Sequence, residues 1–152
     1  VVDKSNPARV MRALEVCLAS GKKYSELRKG ERKERDFQIV KIGVEIPREV
    51  MYDRVNRRVD MMIEAGLEQE ARAVYPLRHC NSLQTVGYRE MFDYFDGKIS
   101  RDEAIELIKR NSRRYAKRQL TWFGRDGEIE WFSPSEREKI LEYIDSKVCT
   151  LK

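Results

Sequence analysis

Apolar residues recur every three or four positions along most of the chain, and this spacing predicts α-helices. Local signals mark several helix ends. Asn6-Pro7 opens the first helix and Gly21 ends it, while Ser100 and Glu103 form a capping box before the longest helix. The predicted helices cover residues 7–19, 47–65, 68–75, about 88–95, 101–123 and 135–148.

Two stretches have the composition of β-strands. Residues 37–44 are rich in Phe, Ile and Val and carry apolar side chains on both faces, which predicts an inner or well-covered strand. We expect this strand to complete a parallel sheet whose other strands lie upstream, and a neighbouring copy could pair with its free edge. Residues 129–132 are a second, shorter candidate. The predicted fold class is mainly α with one or two short strands.

The longest predicted helix has a cationic side. Projected at about 100° per residue, two adjacent rows bring together Lys109, Arg113, Lys117, Arg110, Arg114 and Arg118. The opposite side is apolar and holds Ile105, Ile108, Tyr115, Ala116, Trp122 and Phe123. Like charges in rows repel each other, so a polyanionic partner would explain the pattern. A solvated face whose long stems cover apolar surface explains it equally well.

Ser112 and Gln119 interrupt the apolar side of this helix. A polar group buried there needs a hydrogen-bonding partner. Both a ligand contact and an internal hydrogen bond satisfy that need.

Two other groups of residues have the chemistry of an anion site. Arg54 and Arg58 lie one helical turn apart, a spacing that lets two guanidiniums grip a phosphate or diphosphate. Surface arginines bonded to Asp53 or Glu49 are the alternative. Gly87-Tyr88-Arg89 combines close backbone approach, stacking and a phosphate contact, although a helix start with a core tyrosine fits the same residues.

The composition of the chain limits the functions that it can have. The net charge of +5 permits an anionic partner. No run of 18 apolar residues is present, so no membrane span is predicted. The single histidine, His79, excludes a His-based metal cage and a Ser-His-Asp triad within this chain, and it is predicted to lie in a surface loop. Residues 28–36 have mixed charge and no apolar period, which predicts an exposed loop.

Four segments in a fixed order carry a family resemblance: Asn6–Val16, Arg54–Asp60, Val86–Glu90 and Ala116–Phe123. With the strand between the first two, they resemble the C-terminal half of the tRNA dimethylallyltransferases, also called tRNA isopentenyltransferases. The resemblance covers nearly the whole chain. It implies that residues 1–152 are the C-terminal portion of an α/β P-loop-kinase-like enzyme, with a helical tRNA-binding part and one core strand.

The resemblance also implies a reaction. The family transfers a dimethylallyl group from dimethylallyl diphosphate to N6 of adenosine 37, just 3′ of the tRNA anticodon, and Mg²⁺ assists the diphosphate. The base enters a channel from one end and the diphosphate from the other, which agrees with the need to unstack a base before chemistry on it. Family membership further implies a nucleotide-binding, cytoplasmic enzyme that is a monomer at full length, and a partner in the anticodon stem-loop.

Carried over by position, three segments are implied to contact tRNA: residues 8–12, 84–89 and 117–123. With the cationic helix, the expected tRNA contacts are Arg9, Arg12, Gln84, Gly87, Tyr88, Arg89, Arg114, Lys117, Arg118, Gln119, Thr121 and Trp122. Gln119 and Gly87-Tyr88 are the candidates for contacts around the flipped base. Arg54 and Arg58 resemble arginines near the diphosphate, with Arg58 favoured.

The chain departs from the family pattern in one main respect. The N-terminal P-loop and the aspartate implied as general base are absent from the 152 residues. We therefore expect Mg²⁺ to bind mainly through the missing N-terminal half, and this chain alone to be inactive. Gly124 stands where members often carry a basic residue, and Arg125 is a possible substitute.

Two other functions fit the residues. One is a stand-alone basic helical module that binds RNA or DNA without catalysis. The other is a purely structural or protein-interaction domain.

Overall fold

A computed structural model describes residues 3–28 and 37–149, and helices make up most of them, as the apolar spacing predicts. The predicted loop at 28–36 lies outside these residues except for Arg28. The helices are α1 (Pro7–Ser20), α2 (Tyr24–Leu27), α3 (Arg48–Glu64), α4 (Leu67–Val74), α5 (Tyr88–Phe95), α6 (Arg101–Phe123) and α7 (Arg137–Cys149). The strands are β1 (Lys41–Val44) and β2 (Ile129–Phe132), and short 3₁₀ turns span Tyr75–Leu77 and Asn81–Leu83.

The chain divides into two compact units, Val1–Ile39 and Val40–Lys152. In the first unit, the predicted ends of α1 are confirmed. The side-chain oxygen of Asn6 accepts the Arg9 N–H at 3.2 Å. Gly21 has φ 66°, and its N–H donates to the Cys17 carbonyl at 2.9 Å. The four-residue helix α2, which has no apolar period to predict it, follows.

The core of the second unit lies among α3, α4, α5 and α6. It is formed by Val59, Leu67, Ala71, Met91, Phe92 and Ile108. Met91 and Ile108 are the largest of these side chains that solvent does not reach. They come from α5 and α6, so the core fixes the position of the long helix against the short one.

The two strands form a parallel pair in which Lys41 lies opposite Ile129 and Gly43 opposite Trp131. The parallel pairing was predicted, but the partner, β2, lies downstream. The predicted span of 37–44 was wrong at its start. Phe37 and Ile39 lie outside β1 and are 60% and 65% exposed, so this stretch is not well covered. The paired register of β1 with β2 covers only Lys41 to Val44, so the strand is shorter than its apolar run.

Side-chain contacts occur at both ends of the strand pair. The Lys41 ammonium lies 2.7 Å from a carboxylate oxygen of Asp126 and 2.7 Å from one of Glu128. At the other end, the ring of Phe132 packs against Tyr143 of α7, with ring centroids 5.6 Å apart.

Candidate nucleic-acid interface

Helices α3 and α6 pack through polar pairs that divide the cationic side of α6. The Lys109 ammonium lies 2.8 Å from the Asp60 carboxylate. The Arg113 guanidinium donates to the Asn56 side-chain oxygen at 2.5 Å and lies 6.0 Å from the Tyr52 ring centroid. Of the six cations that the helical projection places on one side, these two therefore face α3.

The remaining cations of the C-terminal half of α6 border an open groove of about 660 Å³. Its lining residues are Asn111, Arg114, Lys117, Arg118, Thr121, Trp122 and Arg125. Five of them were predicted tRNA contacts, and the structure brings all five together. Arg125, expected to substitute for a basic residue at position 124, also lies there. The helical spacing of 111, 114, 118, 121 and 125 explains why one surface collects them.

The charge of this groove is not neutralised by carboxylates. Arg114, Lys117, Arg118 and Arg125 are all exposed, and none has an ion-pair partner in residues 3–28 or 37–149. Thr121 donates its hydroxyl to the Lys117 carbonyl at 3.0 Å, a bond within the helix. These four cations can contact phosphates. The neighbouring Trp122, which is 67% exposed, offers a ring on which a base can stack.

The predicted apolar side of α6 is only partly buried. Ile108 is 1% exposed and lies in the core, as predicted. Tyr115 and Phe123, together with Trp122, are exposed, so the apolar side is covered only in the first half of the helix. Gln119 is exposed too, and the premise that it is buried was wrong.

Gln119 lines a shallow apolar pocket of about 500 Å³. The other lining residues are Tyr115, Arg118, Trp122 and Phe123. Arg118 and Trp122 border both this pocket and the cationic groove, so the two surfaces are continuous.

The loop before α5 is built around Gly87. Its φ of 106° is a conformation that favours glycine, and a Cβ there would meet no atom within 4 Å. Tyr88 stacks on Phe92 with centroids 6.1 Å apart and a 9° interplanar angle. Its hydroxyl donates to Glu70, and this bond raises the pKa of Tyr88. Tyr88 is therefore packed at a helix start and half-buried, and its contact with tRNA stays a prediction.

Gln84 and Arg89 lie together in a separate cavity of about 300 Å³. Gln84 donates its amide to the Arg78 carbonyl at 2.6 Å, and Arg89 is exposed. His79 lies there too and is exposed, as predicted. The remaining lining residues are Arg78, Phe92, Asp93, Asp96 and Lys98, of which Lys98 bridges the two aspartates.

Arg54 and Arg58 lie on the exposed side of α3, and neither lines the groove. Asp53 pairs with Arg57 at 2.7 Å rather than with either of them. Neither arginine has a carboxylate partner within the described part of the chain, so the surface ion pair with Asp53 or Glu49 is not formed.

Arg9 and Arg12 belong to α1 in the first unit. Arg9 lies 3.9 Å from Asp3 and Arg12 lies 3.2 Å from Glu15. Both side chains are about 70% exposed, at 69% and 73%, so these pairs leave the guanidiniums available to solvent.

Sequence reasoning missed Asn111 and Glu90. Asn111 lies in the groove three positions before Arg114, so helical spacing could have identified it. Glu90 is 5% exposed and accepts hydrogen bonds from the Gly87 N–H and the Asn111 amide. Its carboxylate is an acceptor three residues from the motif glycine, but the contact with α6 has no sequence signal.

The described residues hold no group of three His, Cys, Asp or Glu side chains that could bind a metal. Among the same residues, no helix is long and apolar enough to cross a membrane.

Comparisons with known proteins agree on one family. A family model described as IPP transferase matches residues 1–126. The chain is 53% identical to tRNA dimethylallyltransferase 1 of Phocaeicola vulgatus, over 96% of this chain and 49% of that protein. It is 54% identical to tRNA dimethylallyltransferase 1 of Bacteroides thetaiotaomicron, over 95% of this chain and 47% of that protein.

A solved structure is also similar. The full-length tRNA isopentenylpyrophosphate transferase of Bacillus halodurans matches with a TM-score of 0.68 and 41% identity, over 99% of this chain and 47% of that one. The chain thus spans about half the length of the relatives it matches.

Proposed function

This chain belongs to the IPP transferase family, and from that premise we propose that it is the tRNA-contacting C-terminal portion of a longer tRNA dimethylallyltransferase. The whole enzyme transfers a dimethylallyl group from dimethylallyl diphosphate to N6 of adenosine 37. The P-loop portion and the general base belong to the half that is absent here. The relatives are named as transferases, which disfavours a stand-alone binding module.

The observation that supports this proposal most directly is the un-neutralised groove of α6. Arg114, Lys117 and Arg118 hold phosphates of the anticodon stem, and such contacts position RNA without reading its sequence. Trp122 offers a face on which an unstacked base packs. Thr121 and Gln119 add hydrogen-bonding groups at the groove and the adjoining pocket.

Two other segments are assigned contacts with tRNA in this proposal. Arg9 and Arg12 present exposed guanidiniums from α1, and Gln84 and Arg89 present polar groups from the loop before α5. A Cβ at Gly87 would meet no atom within 4 Å, but the residue itself is buried, so Gly87 contributes through the loop conformation that its positive φ allows. Because its ring packs on Phe92, Tyr88 acts mainly through the position of this loop.

Arg54 and Arg58 bind the diphosphate in this proposal. They lie one turn apart on α3 and are free of carboxylates in the described residues, so both can face an anion. A guanidinium there stabilises the negative charge that develops on the departing diphosphate. Mg²⁺, when bound, would neutralise further charge of the diphosphate, and the other half of the enzyme would hold it in the main. We propose that the whole enzyme acts as a monomer in the cytoplasm.

Binding to an anticodon stem-loop with adenosine at position 37 tests the RNA role of the groove. We expect the triple variant in which Arg114, Lys117 and Arg118 are changed to Ala to bind this stem-loop more weakly than the wild-type chain. The salt dependence should flatten by about one unit of slope for each lost phosphate contact. A scrambled hairpin measures how much binding depends on the anticodon loop.

The matched control removes the same charges elsewhere. Changing Arg57, Arg137 and Lys139 to Ala also deletes two arginines and one lysine from exposed positions. We expect this variant to bind RNA nearly as well as the wild type. Equal losses in both triple variants would mean that only net charge matters, and the groove would lose its assigned role.

A further inference from the structure

Glu90 is the one buried charged residue among the described residues, at 5% exposure. One carboxylate oxygen accepts the Gly87 N–H at 2.8 Å, and the other accepts the Asn111 side-chain amide at 2.7 Å. No cation pairs with it in this part of the chain. Removing a carboxylate from water raises the free energy of the folded state unless hydrogen bonds compensate. The Gly87 N–H and the Asn111 amide supply these bonds.

These two bonds join different parts of the proposed RNA surface. Gly87 belongs to the segment 84–89, and Asn111 lies in the groove of α6, three residues before Arg114. We propose that Glu90 is a positioning residue for RNA binding, an inference that rests on the proposed function. It does not touch RNA, but it fixes the Gly87 loop against α6 and sets the orientation of the Asn111 amide in the groove.

The chemistry of the carboxylate determines that orientation. An ionised glutamate only accepts hydrogen bonds, so the nitrogen of Asn111 must face it. In a Glu90→Gln variant, the new amide oxygen can accept the Gly87 N–H, but its NH₂ group then faces the NH₂ of Asn111. Asn111 must turn over to restore a bond, which reverses the groups that it presents to the groove.

The Glu90→Gln variant separates positioning from electrostatics by the sign of its effect. The substitution removes a negative charge near a cationic groove, so electrostatics alone predicts tighter RNA binding. Loss of positioning predicts weaker binding, and we expect about a tenfold increase in Kd, equal to the loss of one good hydrogen bond. Glu106→Gln, an exposed change of the same type on α6, should leave Kd unchanged or slightly lower.

A double-mutant cycle tests whether Glu90 acts through Asn111. With Asn111→Ala in place, Glu90→Gln should have little further effect on Kd. Independent effects that simply add would overturn the proposal. Asn111→Ala alone should also weaken binding severalfold, which keeps the test decisive if Glu90→Gln does not fold in a urea denaturation check.

An amide spectrum provides a readout of the bond itself. In a ¹H–¹⁵N correlation spectrum, the Gly87 amide proton should move upfield in Glu90→Gln, because a neutral acceptor replaces a charged one. Glu106→Gln should leave it in place. An unmoved Gly87 signal would contradict the bond on which the proposal depends.

The outcomes distinguish the two proposals. If the groove triple variant loses RNA binding while Glu90→Gln binds as well as or better than wild type, only the role of Glu90 is wrong. If the wild-type chain binds no stem-loop, or the groove variant binds normally, the proposed RNA surface fails and Glu90 loses its role with it.

Discussion

Gly43 of β1 leaves no room for a side chain. A Cβ at this position would lie 2.5 Å from Cε3 of Trp131 and 2.7 Å from two further ring carbons. The indole ring therefore lies directly against the β1 backbone. Such a close approach is possible only for a residue without a side chain.

We predict that Gly43→Ala lowers the free energy of unfolding by about 2 kcal/mol, because the Trp131 ring must shift to relieve the overlap. Urea denaturation measures the change. The matched control is Gly127→Ala, where a Cβ would meet no atom within 4 Å. Equal stability of the two variants would show that the indole can move without cost.

Asp126 makes the stability of the strand pair depend on pH. The hydrogen bond from Lys41, followed by one from the Glu128 N–H, lowers the pKa of Asp126 from its usual 3.8. A lowered pKa means that the folded state favours the charged carboxylate. The stabilisation is thus fully present above pH 3.8 and is lost as the pH falls through the lower folded-state value.

We predict that Asp126→Asn is less stable than wild type at neutral pH and that the difference narrows as the pH falls below 3.8 and the carboxylate becomes protonated. Thermal unfolding at a series of pH values measures this convergence. Glu130→Gln, an exposed change on β2, serves as the control and should leave the pH dependence as it is. A constant difference between Asp126→Asn and wild type down to the lowest pH would contradict the prediction.

At the residue scale, the sequence predicted which cations share a helix side but not their environment. The projection of α6 placed Lys109 and Arg113 with the others. Asp60 and Asn56 lie one turn apart on α3. They bind Lys109 and Arg113, which therefore face α3 and not solvent. This arrangement depends on the tertiary register of two helices, which no local pattern contains.

At the element scale, α6 depends on its N-terminal cap. The Ser100 hydroxyl accepts the Glu103 N–H at 3.2 Å, and the Glu103 carboxylate accepts the Ser100 N–H at 3.0 Å. This reciprocal pair confirms the predicted capping box. It lies about 20 Å along the helix from Arg114, at 1.5 Å per residue.

We predict that Ser100→Ala costs about 1 kcal/mol of stability while leaving stem-loop affinity unchanged, because the groove lies at the other end of the helix. Urea denaturation and RNA titration of the same sample measure both quantities. A parallel loss of affinity would mean that fraying at the first turn reaches the groove.

Elements with strong local signals were predicted within one or two residues, and the exceptions have physical causes. Both α1 and α6 carry caps in their own sequence. Strand β1 is shorter than its apolar run because a strand ends where its partner ends, and β2 has only four residues. Helix α2 is one turn long and offers no period to detect.

At the scale of the whole molecule, four short segments far apart in sequence identified the family, although none was distinctive alone. The site was less predictable. The groove residues of α6 were found because helical spacing groups them, while Glu90 and Asn111 meet only through the packing of α5 on α6.

We predict that this chain, incubated with dimethylallyl diphosphate, Mg²⁺ and tRNA, transfers no dimethylallyl group. The sequence lacks a phosphate-binding loop of the G-x-x-x-x-G-K-[ST] form. Incorporation of a labelled dimethylallyl group into tRNA measures the activity, with the full-length Phocaeicola vulgatus relative as positive control. Detectable transfer by the chain alone would place a complete active site within these 152 residues.

The un-neutralised groove also has a consequence for folding. Repulsion among Arg114, Lys117, Arg118 and Arg125 raises the free energy of the folded chain relative to an extended one, in which the same charges lie farther apart. Any polyanion that binds the folded groove removes this penalty and stabilises the chain by mass action. Under the proposed function, folding and RNA binding are therefore thermodynamically linked, and an RNA bound in the groove also acts as a folding ligand for this domain.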